Sequence, residues 1–99
     1  MPLSTIWKYP VPIEDAFMLE MPSGAVPLSF GVQRGRLCLW AAVDEAEPGR
    51  EWRRFLLRGT GPPHQFDFSL SRFIGTVVLD ELGLVFHLFD AGVAAAPVR

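Results

Sequence analysis

Prolines and glycines interrupt this chain about every 8–12 residues, and that punctuation limits what it can fold into. An ordinary helix needs about 10–12 uninterrupted residues with apolar positions three and four apart, and no such stretch occurs. Short strands tolerate the spacing. Leu3–Tyr9 reads as a first strand, stopped by Pro10 and Pro12, and Ala16–Met21 as a second, closed by the turn Met21-Pro22-Ser23-Gly24. Val26–Gln33 is a third, expected at a sheet edge because Pro27 has no N–H to give a ladder. Gln33-Arg34-Gly35-Arg36 is a tight reversal into Leu37–Asp44, and Asp44–Gly49 is a loop. Glu51–Arg58, Phe73–Leu79 and Leu84–Phe89 complete the set.

The expected fold is therefore mostly β, a small antiparallel sandwich or barrel-like sheet of about seven strands. At most one short helical turn fits. It belongs between Gly59 and Ser71, where Phe66, Leu70 and Phe73 suit a helix turn and Phe66, Phe68 and Leu70 suit strand alternation. Residues 1–90 form one β-rich domain. Residues 91–99 have no periodicity and read as a flexible C-terminal tail.

Composition removes several function classes. A formal charge of -2 and a pI near 5.6 argue against a binder of polymeric nucleic acid, which needs a basic surface for phosphate contacts. Cys38 is the single cysteine, so no intrachain disulfide and no zinc-ligand spacing is available. Set between Leu37 and Leu39, it reads as a buried thiol. No cofactor motif or metal spacing is present. The start lacks a basic n-region and a long apolar h-region, and no apolar run approaches the roughly 18 residues of a membrane helix. A cytoplasmic protein is expected.

Three strands are apolar on both faces, among them Phe73–Leu79, in which Phe73, Val77 and Leu79 oppose Ile74, Thr76 and Val78. Leu37, Leu39, Ala41 and Val43 oppose Cys38, Trp40 and Ala42, and Leu84, Phe86 and Leu88 oppose Val85, His87 and Phe89. Such strands need cover on both sides. With no substantial helix to supply it, a homo-oligomer buried around Trp40 and Phe89 is expected, the alternative being a closed sandwich or barrel.

The chemistry-bearing stretch is Arg50 to Gly61. Strand alternation puts Arg50, Trp52, Arg54, Leu56 and Arg58 on one face. Guanidiniums beside an indole suit an anionic, aromatic ligand, with forked bonds to phosphate and a flat surface for a base. Gly59-Thr60-Gly61 follows at once, where backbone N–H groups can approach an anion, and His64 stands in the same loop. The ligand-binding candidates are Trp52, Arg54, Arg58, Gly59, Thr60, Gly61 and His64. The competing reading is a solvated strand face that ends in a turn. His87 reads as a hydrogen-bonded strand histidine. No nucleophile-elbow pattern surrounds the serines, so the chain reads as a binder and not an enzyme.

Five segments in order, Ile6-Trp7-Lys8-Tyr9-Pro10, Cys38-Leu39-Trp40-Ala41, Arg58-Gly59-Thr60-Gly61, Ile74-Gly75-Thr76-Val77 and Val85-Phe86-His87, resemble a family of short bacteriophage and prophage proteins of unknown function. The resemblance spans roughly residues 5–89. Where many members carry Gly-Thr-Gly-His, this sequence sets two prolines before His64. The family carries no assigned catalytic residue. What the resemblance implies is a setting, the cytoplasm of an infected bacterium. There, accessory proteins of this size act on host defences, some as oligomeric sponges for nucleotide immune signals of the cyclic nucleotide or cyclic ADP-ribose type. The alternative is a protein–protein module that binds and inhibits a host or phage protein.

Overall fold

A computed structural model describes residues 2–61, 63–65 and 67–97. Phe66, one of the residues that decided between turn and strand in the long loop, lies outside them, as do the last two residues of the tail. The fold is all-β. Seven antiparallel strands form two sheets, with two 3-10 turns, no α-helix among the described residues, and no closure into a barrel. The strands are β1 (Thr5–Pro10), β2 (Ala16–Pro22), β3 (Val26–Gln33), β4 (Arg36–Val43), β5 (Arg50–Gly59), β6 (Arg72–Leu79) and β7 (Leu84–Ala94). One sheet has the order β1-β4-β3, the other β2-β5-β7-β6. Among the described residues no helix is long and apolar enough to cross a membrane.

Punctuation acts where expected. Arg34 and Gly35 both take positive φ, 53° and 75°, the pair a two-residue reversal requires between twisted strands. β3 is an edge strand, as the missing donor of Pro27 demands. The 3-10 turn of the long loop is Phe68–Leu70, capped by Asp67, whose carboxylate accepts from the Ser69 N–H and hydroxyl. Those bonds lower the Asp67 pKa. The cap they provide is complete above the ordinary carboxylate range and is lost as pH falls through the depressed value.

Residues facing inward from the two sheets make the core. Leu39 and Val43 of β4 meet Phe55 of β5 and Leu88 of β7, all with no exposed surface. Phe17 and Phe55 are register partners on β2 and β5, and their rings stack at 5.5 Å. At the β3/β6 edge the two sheets nearly touch: a Cβ on Gly75 would sit 3.3 Å from the Phe30 Cβ and 3.6 Å from its carbonyl oxygen. Gly75→Val should therefore cost roughly 1–3 kcal/mol by overpacking, seen as an earlier urea midpoint with an unchanged slope.

β7 runs through Ala94, past the expected end of the last strand. Val93 and Ala94 pair with Arg53 and Trp52, and an irregularity between Asp90 and Gly92 lets the ladder resume, with Gly92 at φ 94°. Asp90 explains why this glycine-bearing segment is held. Arg53, on the inner side of β5 and 8% exposed, donates to Asp90 Oδ2 at 3.0 Å, to Glu51 Oε1 at 3.3 Å and to the Ala25 carbonyl at 2.9 Å. Glu51 also accepts from the Gly24 N–H, and Asp90 from the Gly92 N–H.

Part of each sheet's second apolar face finds cover within the chain, while Ile6 of β1 and Phe73 and Val78 of β6 stay exposed. On β4, Trp40 lies against Gly31 of β3, where a Cβ would come within 3.2 Å of its ring. Lys8 of β1 donates to Gln33 of β3 at 2.6 Å, a bond that must cross β4 over the row holding Cys38. Cys38 is accordingly buried. Phe89 is covered by the long loop, and this cover creates the candidate site.

Candidate functional site

β5 and β6 both pair antiparallel with β7, so they run parallel to each other on either side of it. Joining parallel strands requires a crossover of about a dozen residues. Residues 60–71 are that crossover. They leave β5 at the level of Phe86 and enter β6 at the level of Asp90, passing over β7. Since Leu88 belongs to the core, Phe89 and His87 face outward beneath the crossing segment.

Two cross-strand rows form the floor. Arg58, His87 and Thr76 are register partners across β5, β7 and β6, and Leu56, Phe89 and Phe73 make the row beside it. The crossing segment sets Phe68 on Phe89 at 4.7 Å with near-parallel planes, while Phe73 meets Phe89 edge-on at 5.5 Å. His64 meets Phe68 edge-on at 5.8 Å and donates from Nε2 to the Gly59 carbonyl at 3.0 Å, which fixes its tautomer. Arg58, Gly59, Gly61, His64, Phe68 and His87 line an open groove of about 290 Å³, with Pro63 and Phe89 completing it.

His87 is held on both nitrogens by hydroxyls. Thr60 Oγ1 lies 2.7 Å from Nε2 and Thr76 Oγ1 lies 2.8 Å from Nδ1. The first contact ties the glycine turn to β7, and the second ties β7 to β6. Arg58 donates from Nη1 to the carbonyls of Asp15 and Leu57, so part of its guanidinium anchors the chain ahead of β2.

The seven residues singled out in the sequence are divided. Arg58, Gly59, Gly61 and His64 line the groove, and Thr60 is bonded to its floor. Arg54 lines a separate depression with Ala16, Met18 and Ala94. Trp52 shares the face by alternation, but it stands six residues from Arg58, about 20 Å along a strand, and lines neither. Arg50 lies over the Trp7 ring at 5.9 Å, on the other sheet. Sequence reasoning missed Phe68, His87 and Phe89 as groove residues. The alternation in Leu84–Phe89 does put His87 and Phe89 on one face, but only the strand order sets them beside Arg58. Among the described residues, no cluster of three or more His, Cys, Asp or Glu side chains has the geometry of a metal site.

No curated protein and no solved structure matches this chain. Residues 3–97 match a family described as a domain of unknown function, DUF7352, and with nearly its whole length inside that match the chain belongs to this family.

Proposed function

We propose that the groove over β7 takes a small anionic ligand bearing a flat ring, of the nucleotide type, and that the protein sequesters this ligand without transforming it. The observation that carries the reading is the convergence of a cation, two imidazoles and a stacked phenyl pair on one groove beside a glycine turn. Arg58 supplies the positive charge, and the rings of Phe68 and His64 supply surfaces for a base. Some 290 Å³ lies at the lower edge of small-molecule sites, about 300–1,000 Å³, and suits one nucleoside moiety.

The resemblance to phage and prophage proteins supports the setting, an accessory protein in the infected bacterial cytoplasm that withholds a cyclic nucleotide or cyclic ADP-ribose immune signal. Self-association belongs to the same reading. Leu70, Phe73 and Val78, exposed by 78%, 55% and 54%, lie on the crossing segment and on β6, which is an edge strand. Light scattering at micromolar concentration should give at least twice the monomer mass, and a strict monomer would remove this part of the proposal. The same exposed side chains favour a second reading, a protein–protein module that inhibits a host or phage protein.

Calorimetry with a panel of cyclic dinucleotides and cyclic ADP-ribose isomers separates the two. At least one ligand should release heat, and Phe68→Ala should weaken it by about 10- to 100-fold, the effect of losing one stacking surface. Phe68 is a better probe than Arg58, whose removal also frees the Asp15 carbonyl. No heat from any ligand, or an unchanged affinity in Phe68→Ala, would turn the argument to the second reading.

A further inference from the structure

We propose that one end of the sandwich, where residues 10–13, the Arg34-Gly35 reversal and the Asp80–Leu82 turn meet, is a two-fold contact surface for a second copy of this chain. This inference rests on the self-association included in the proposed function and names the surface that carries it. Two adjoining depressions open at this end, of about 360 and 290 Å³. Gly35 and Leu79 line both and mark the boundary between them. Ile13 stands 60% exposed on the first, and Leu82 stands 65% exposed on the second, beside the exposed Val32 and Val78. None of these residues lines the ligand groove, so each copy keeps its own.

The charges on the two depressions are segregated. Arg36 lines the first, whose described lining holds no acidic residue. Asp80 and Glu81 line the second, whose described lining holds no basic one. All three side chains are exposed, and among the described residues none makes a hydrogen bond or an ion pair. A two-fold axis through the boundary lays the first depression of each copy on the second depression of the other. Ile13 then meets the apolar side chains around Leu82, and Arg36 meets the partner's Asp80 and Glu81. Each contact forms twice, as an isologous interface requires. This pairing of signs commits the surface to a second copy, since a rim of one sign would suit any partner of opposite charge. An apolar centre with a charged rim is also the usual anatomy of such contacts.

The surface is held in shape before contact. The Val11 N–H donates to the Leu37 carbonyl at 3.0 Å, which pins the first loop to β4, and the Gly83 N–H closes the Asp80–Leu82 turn on the Asp80 carbonyl at 3.2 Å. Little ordering is then needed on association. Trp40 and Phe89, to which strand alternation points as the oligomer contact, are both half-buried within the chain.

Light scattering of the full chain over a dilution series tests this surface. The wild-type protein should dimerise at micromolar concentration. Arg36→Glu sets like charges on both contacts and should weaken the dimer by about 10- to 100-fold, as should Asp80→Arg combined with Glu81→Arg. All three substitutions in one chain should restore the dimer. Mixing the two variant proteins should restore it too, because the mixed pair sets opposite charges at both contacts. Restoration also shows that the variants fail at the contact and not in folding. A dimer that survives both charge variants, or a loss that neither combination recovers, would overturn this surface and leave self-association standing elsewhere. A wild-type protein that stays a strict monomer would instead remove the self-association reading itself, and this surface with it.

Discussion

Arg53→Met should lower the stability of this protein by about 3–5 kcal/mol, because it leaves two carboxylates buried with no counter-charge. Arg53 is 8% exposed, and its partners Asp90 and Glu51 have side chains only 10% and 17% exposed. Methionine retains most of the volume, so the loss reports charge and hydrogen bonding and not a cavity. The network also ties two other pieces of chain to β5. Asp90 secures the irregular stretch of β7, Glu51 the Gly24 turn, and the Ala25 carbonyl the entry to β3. For a domain of this size the melting temperature should fall by about 12 °C or more. A fall under about 4 °C would show that the carboxylates find other partners.

Phe55→Ala should be comparably damaging, at about 3–5 kcal/mol. Phe55 has no exposed surface, stacks on Phe17, and sits at the centre of β5, between β2 and β7. Both sheets converge on it, which restricts how far the neighbours can close a void. Phe55→Leu should recover much of the loss, since a smaller cavity remains. Denaturation midpoints of the two variants check this, and equal midpoints would mean the cavity term is absent. A domain of this kind has a total stability of about 5–15 kcal/mol, so either alanine or methionine variant sits near the edge of folding.

The architecture was legible wherever local chemistry decided it. Pro27 assigned β3 to an edge through its missing donor, and Gly35 marked a reversal because glycine accepts positive φ, although the positive φ of Arg34 was not foreseen. The end of β7 was not legible. Asp90-Ala-Gly-Val-Ala has little strand character of its own, and it pairs because Arg53 holds Asp90 and because Gly92 accepts positive φ. Burial of Arg53 was equally hidden, as alternation in Arg50–Gly59 shows which face it occupies, with Glu51 beside it, but not that Asp90 of β7 and the Ala25 carbonyl meet it there. Cover for Cys38 by the Lys8–Gln33 bond depends on β1 and β3 flanking β4, which no local pattern specifies.

The candidate site divides along the same line. Arg58, Gly59, Thr60, Gly61 and His64 are close in sequence, and the turn that follows β5 keeps them together. Trp52 and Arg54 share their face and yet stand apart, because a strand carries residues away at about 3.3 Å each. Phe68, His87 and Phe89 join only through the order β5-β7-β6 and the crossover that this order forces across β7. Their chemistry was visible in the sequence, but their proximity was not.

The most direct test of the groove as a ligand site is amide chemical-shift mapping of the isotope-labelled protein, titrated with the cyclic dinucleotides and cyclic ADP-ribose isomers. The account predicts saturable shifts concentrated on Gly59, Thr60, Gly61, His64, Phe68 and His87, the residues that line the groove or brace it. Shifts confined to Leu70, Phe73 and the outer edge of β6, or no shifts with any ligand, would contradict it.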